Sequence, residues 1–277
     1  MKYVTYTSEH GTRVGMMDGD RVYDAGFEGD MVEFIEAGAP VGQRTLVKDA
    51  CLQAPLRPRS LRDFITFEAH LKTSYERLGL SIPKEWYQVP VYYKGMPDTV
   101  IGPGTNIPWP SYSDYVDCEL ELAAVIGRQG RNIAADDAED FIFGYTIWND
   151  VSARDVQRVE MPVGLGPGKA KDWDGSNVIG PCIVTADEFD PHNLRMSLRV
   201  NGEEWTEDSS GNMHYSFAEL VAYASRDQTL YPGEVLGSGT PAGGSGIDTD
   251  RRFKENDLVE LEIAGIGILQ NRIGDRA

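Results

Sequence analysis

Apolar and polar residues alternate with a period of two along much of this chain, the pattern of strands that bury one face. Residues 2–7, 12–17 and 21–24 carry it at the start, with Asp18-Gly19-Asp20 as a turn. Further strands are predicted over 117–127, 141–149, 178–185, 195–200, 203–206, 233–238 and 257–270. Asn201-Gly202 is a tight-hairpin signal, and Ala264-Gly265 turns a second hairpin inside the last segment. Helical patterns are fewer. Two short ones fall near 30–37 and 43–52; a third covers 66–79, with Thr66 as its cap and Gly79 as its stop; a fourth covers 216–225. Residues 81–115 hold six prolines and several aromatics, which predicts a long structured loop of the kind enzymes use as lids.

The run Ala54-Pro55-Leu56-Arg57-Pro58-Arg59 breaks the pattern, because proline cannot continue a helix and restricts the residue before it. It divides the chain into a small N-terminal α/β module, 1–58, and a main domain, 59–277. The fold class is α+β, predominantly β.

Composition narrows the partners. With 41% hydrophobic and 25% charged residues the chain can bury an ordinary globular core. A formal charge of −18 argues against nucleic acid, since phosphate binding needs basic surface. No stretch approaches the roughly 18 apolar residues of a membrane span. Met1-Lys2-Tyr3-Val4-Thr5-Tyr6 lacks the apolar run of a secretory signal, so the expected compartment is cytoplasmic. Cys51, Cys118 and Cys182 are odd in number and far apart, which predicts buried apolar residues and no disulfide framework or Cys-based zinc site.

The chemistry gathers around Asp117-Cys118-Glu119-Leu120-Glu121-Leu122-Ala123-Ala124-Val125. On a strand, Glu119 and Glu121 share a face at roughly 7 Å spacing, and the apolar Ala123 and Val125 continue that face. Two carboxylates entering an interior repel each other and lose hydration, so they need a cation or a proton. Taken alone, E-x-E is more simply a pair of exposed glutamates on an edge strand. A third carboxylate changes the balance: the apolar run 141–148 ends at Asn149-Asp150, where a buried strand opens into the polar Ser152-Ala153-Arg154-Asp155. Three carboxylates suit a hard cation such as Mg²⁺, Mn²⁺ or Ca²⁺ rather than zinc. Asp150 by itself reads equally as a helix cap.

The stretches CELELAAVIG, GYTIWNDVSARDVQ and GKAKDWDGSNVIGP, with GSGTPAGG at 237–244, resemble the signature segments of the fumarylacetoacetate hydrolase family. The resemblance runs in order over roughly 60–273. It implies that family's mixed β-sandwich or roll, a homodimer, and Glu119, Glu121 and Asp150 as metal ligands. Within RDFITFEAH, it implies Asp63 as a fourth ligand and His70 as general base. Arg154, Gln157 and Lys171 become oxyanion-stabilising groups, with Lys169 competing for the lysine role, and Tyr93 and Thr240 become substrate contacts. There is one departure. Where the acylpyruvase and decarboxylase branch carries a glutamate three residues after the lid histidine, this chain has Thr73, which leaves His70 without an evident acidic partner; Glu68 and Glu76 are its neighbours in sequence.

The resulting expectation is a metal-dependent hydrolase that cleaves a C–C bond in a small oxo-acid, such as an acylpyruvate, through an enolate. Its alternatives within the superfamily are a 2-hydroxyhepta-2,4-diene-1,7-dioate isomerase, an oxaloacetate decarboxylase and a 2-keto-3-deoxy sugar-acid dehydratase or hydrolase. A non-catalytic protein holding structural Ca²⁺ is the alternative of a different class; it would have no need of His70, Arg154 or Lys171.

Overall fold

The computed structural model describes residues 1–9, 11–77 and 79–276. A 12-stranded sheet forms the backbone of the molecule. Its central strands are Asn177–Thr185, Ile142–Asp150 and Leu120–Ile126, with Ile142–Asp150 in the middle and antiparallel to both neighbours. On one flank Lys2–Ser8 pairs with Asn177–Thr185, so the N-terminal strands extend this same sheet. On the other flank Glu234–Gly237 pairs with Leu120–Ile126, followed by Ser60–Phe64 and Tyr92–Gly95. A five-stranded sheet holds Glu203–Ser209, Arg195–Val200, Leu258–Ile263, Gly267–Ile273 and Asn106–Ile107. The α+β, mostly β class expected from the pattern is what the chain adopts.

Both faces of the central strands are covered, which is why they read as apolar runs. Leu120, Leu122, Ala124 and Ile126 pack on the side that holds Phe217, Leu220 and Val221 of the helix Phe217–Ala224. Ala123, Val125 and Trp148 pack on the opposite side, with Met31 and Phe34 of the helix Met31–Glu36. Ser216 and Glu219 form a reciprocal cap at the start of the first helix, as Asp30 and Glu33 do in the second.

Three local expectations need correction. The helix expected near 43–52 does not form; the segment gives two short strands, Thr45–Leu46 and Cys51–Leu52. Most of its side chains are exposed, so it has no apolar stripe to bury, and its backbone serves the sheet edge: the Val47 amide donates to the Val22 carbonyl and, just past the segment, the Gln53 amide to the Thr5 carbonyl. The helix expected over 66–79 spans Glu68–Arg77, with Leu78 outside the described residues and Gly79 in the left-handed conformation at its end. Thr66 is not its cap, because the hydroxyl donates to the Ser238 carbonyl 2.6 Å away. Cys51 is exposed, whereas Cys118 and Cys182 are buried as expected. The 81–115 segment is ordered by pairing, with Tyr93 opposite Asp63. No described helix is long and apolar enough to cross a membrane.

Candidate active site

Adjacent strands deliver the carboxylates. Asp63, near the end of Ser60–Phe64, lies beside Gly237, which in turn lies beside Ala123. A Cβ on Gly237 would stand 2.6 Å from Glu121 Oε2 and 2.7 Å from the Trp148 ring, so only glycine leaves room there for the Glu121 carboxyl. Glu119 is fixed through its backbone: its amide donates to Asn149 Oδ1 at 3.1 Å and its carbonyl accepts from Asp150 at 3.2 Å. Asp63, Glu119, Glu121 and Asp150 thus bring carboxylate oxygens within 4.8 Å of one another, all four residues buried.

Such a cluster is electrostatically costly unless cations attend it. Two do. Lys171 Nζ lies 2.7 Å from Glu119 Oε2 and hydrogen-bonds Asp150. Arg154 Nη2 lies 2.6 Å from Glu119 Oε1, while its Nε donates to Asp117 at 2.8 Å. Burial raises the Glu119 carboxyl, yet the Lys171 and Arg154 charges outweigh it and hold the group below the ordinary carboxylate range. Asp63 and Glu121 go the other way. Burial, then Asp150 for the former and Asp63 for the latter, pushes both well above that range. Asp150 is also raised by burial, with Lys171 opposing. Lys171 is held above its usual value because Asp150 and Glu119 outweigh the burial that disfavours its charge.

Three buried oxygens, Asp63 Oδ1, Glu121 Oε1 and Asp150 Oδ1, have no hydrogen-bond partner. Buried acceptors without donors are rare and costly. An all-oxygen donor set with three such orphans has the chemistry that a hard divalent cation satisfies.

His70 is buried and lies within electrostatic reach of Glu119. Its Nδ1 lies 2.7 Å from Asp248 Oδ2, which also accepts the Gly243 amide at 3.1 Å. Asp248 is therefore the acidic partner, and neither sequence neighbour is: Glu68 accepts from the Tyr87 hydroxyl and Glu76 faces Lys72. Of the two lysines, Lys169 is exposed and donates to the Asp172 carbonyl, which leaves Lys171 at the carboxylates. Gln157 accepts from Arg154 Nη1 at 2.9 Å. Tyr93 places its ring 5.5 Å from Lys171 Nζ and its buried hydroxyl near Asp150; burial, Asp150 and Asp63 together raise its phenol well above the usual value. Thr240 is buried and its hydroxyl lacks a partner. One surface cavity of about 470 Å³, lined by Val91, Tyr92, Tyr223, Ala224, Arg226 and Gln228, contains none of these residues.

Residues 61–274 match the fumarylacetoacetate (FAA) hydrolase C-terminal family. The chain belongs to the fumarylacetoacetate hydrolase family. This family member is 33% identical over 280 residues to an oxaloacetate tautomerase of Rattus norvegicus, covering 96% of this chain and 86% of the relative. A fumarylacetoacetate hydrolase from Exiguobacterium antarcticum has the same fold, with a TM-score of 0.86 and 29% identity over the whole of both chains. A 5-carboxymethyl-2-hydroxymuconate delta-isomerase from Mycobacterium smegmatis superimposes with a TM-score of 0.78 and 28% identity over 99% of each chain. A hydrolase and an isomerase thus share this fold, and an oxaloacetate tautomerase is among the sequence relatives.

Proposed function

We propose that this protein is a divalent-metal-dependent enzyme acting on a small enolisable oxo-acid, and that its reaction is hydrolysis of a C–C bond beside the oxo group. The observation that carries this reading is the His70–Asp248 pair standing beside the carboxylate cluster. Glu119, Glu121 and Asp150, with Asp63 as a fourth, would hold Mg²⁺, Mn²⁺ or Ca²⁺. When bound, such an ion supplies Lewis-acid polarisation and a template for adjacent carboxylate and oxo oxygens.

The protein's own groups do the rest. With Nδ1–H held by Asp248, His70 keeps Nε2 as the acceptor, the form required of a general base. His70 takes a proton from water while the water oxygen bonds to the carbonyl carbon. The adjacent C–C bond then breaks, its electron pair passes into an enolate, and His70 returns the proton to carbon. The products are a 2-oxo acid and a second carboxylic acid. Lys171 keeps a positive charge against Glu119 and Asp150, where negative charge would otherwise accumulate. Arg154, engaged by Asp117, Glu119 and Gln157, orients Glu119 more than it reaches outward.

Tautomerisation of an oxo-acid is a second reading, supported by the 33% identity to the rat oxaloacetate tautomerase. There the same dyad would move one proton between carbon and oxygen, and no water would be consumed. Incubation with acylpyruvates, oxaloacetate and 2-keto-3-deoxy acids separates the two readings, with ultraviolet loss of the enol and product masses followed together. Hydrolysis yields two acids. Enol loss with no change in mass would transfer the assignment to the tautomerase, and no metal-stimulated change in any substrate would remove both.

A further inference from the structure

Asp117 is fully buried and lies outside the set of four clustered carboxylates. Both of its oxygens are used. Oδ1 accepts the amides of Cys118 at 3.0 Å and Gly246 at 2.8 Å; Oδ2 accepts Arg154 Nε at 2.8 Å and the Ile247 amide at 3.1 Å. These bonds run in two directions. Through Arg154 they reach Glu119, whose Oε1 lies 2.6 Å from Arg154 Nη2. Through Gly246 and Ile247 they grip the helical turn Gly246–Thr249, which carries Asp248 and hence His70. Gly246 has to be glycine for this: a Cβ there would stand 2.7 Å from Asp117 Oδ1.

We propose that Asp117 is a positioning residue that sets the placement of the His70–Asp248 dyad relative to the Glu119 end of the carboxylate cluster. It acts on turnover by orienting other groups, and it touches neither substrate nor metal. A saturated carboxylate suits this task, since four converging donors leave it one arrangement. The sequence separation agrees with it too. Asp117 and Glu119 share one segment, so a single side chain two residues from a cluster carboxylate ties that cluster to a loop nearly 130 residues away. Because the turn is also held by the Leu120 amide on the Gly244 carbonyl at 3.0 Å, loss of Asp117 loosens it without releasing it.

The proposal rests on the reading of His70 as base, so the test carries one readout that needs no substrate. In full-length protein, long-range ¹H–¹⁵N spectra report the tautomer of His70, assigned with His70→Gln; Asp248→Asn marks the signature of a released imidazole. Asp117→Asn offers one oxygen to four donors and should move the His70 signals toward those of Asp248→Asn. With the substrate turned over best, Asp117→Asn should lower kcat about 10-fold and change KM less than about 3-fold. The double variant Asp117→Asn/Asp248→Asn should fall no more than about 3-fold below the weaker single variant, because the two act through one imidazole. Wild-type His70 signals in Asp117→Asn, or losses that multiply in the double variant, would overturn the proposal. Should Asp117→Asn not fold, Gly246→Ala presses on the same oxygen and is held to the same outcomes. An inactive wild type whose His70 signals still respond to Asp117→Asn would remove the reaction and keep the positioning role.

Discussion

Truncating Asp248 tests the proton-handling dyad, and the structure sets the size of the effect. The His70 Nδ1–Asp248 Oδ2 contact is 2.7 Å long, with side-chain exposures of 9% and 3%, so solvent cannot replace either partner. Asparagine can keep an oxygen where Oδ2 now accepts from both His70 and the Gly243 amide at 3.1 Å. Asp248→Asn therefore removes the charge more than the hydrogen bond. A charge-assisted bond exceeds a neutral one by about 1–1.5 kcal/mol, which is roughly 10-fold in rate. Alanine also frees the ring to rotate. Because general-base catalysis contributes about 10²–10⁴-fold, Asp248→Ala should lose on the order of 10²–10³ in kcat, with KM little changed. Steady-state kinetics on the best oxo-acid, with circular dichroism to verify the fold, makes the measurement. The combination His70→Ala/Asp248→Ala should be no slower than His70→Ala alone. Retention of more than half the wild-type kcat in Asp248→Ala would refute the reasoning.

Two further outcomes follow from geometry away from the dyad. Gly237→Ala places a methyl 2.6 Å from Glu121 Oε2 and 2.7 Å from the Trp148 ring, so it should cost about 1–3 kcal/mol of stability and weaken metal binding, read by thermal melts with and without Mg²⁺. Tyr6 bonds Asp24, and burial followed by that bond pushes its phenol up to about 12 from 10.0. A group whose pKa is raised by folding contributes stability fully present below its unfolded value and lost as pH rises through the folded one. The advantage of wild type over Tyr6→Phe should thus be constant from neutral pH up to pH 10 and shrink between pH 10 and about 12 in denaturant titrations; a constant difference across that window would contradict it.

The cluster was legible in sequence because its geometry is local. Glu119 and Glu121 alternate in register with the apolar Ala123 and Val125, and Asp150 ends an apolar run; each signal alone is ambiguous, and the three together with the family resemblance point them inward. The dyad was not, since His70 and Asp248 are 178 residues apart and only the glycine-rich turn, folded back onto Asp117, brings them together. The signal available was an acid shortly after GSGTPAGG, too weak to prefer over Glu68 or Glu76. Asp117 stood in plain view but reads as an ordinary polar strand residue until Arg154 and the 246–247 amides are placed around it. The helix expected near 43–52 failed for a different reason. Short helices depend on a buried stripe, and an exposed segment beside open strand edges pairs with those edges.

The central claim is that Asp63, Glu119, Glu121 and Asp150 converge to hold one hard divalent ion. Isothermal titration of Mg²⁺ or Mn²⁺ into the full-length protein, repeated in buffers of different ionisation heat, tests it most directly. One site per chain is expected, lost in Asp150→Ala. Its heat should depend on the buffer, because burial favours the protonated forms of Asp63 and Glu121 and a bound ion favours their ionised forms. No binding at millimolar metal, or a site that survives Asp150→Ala unchanged, would contradict the account.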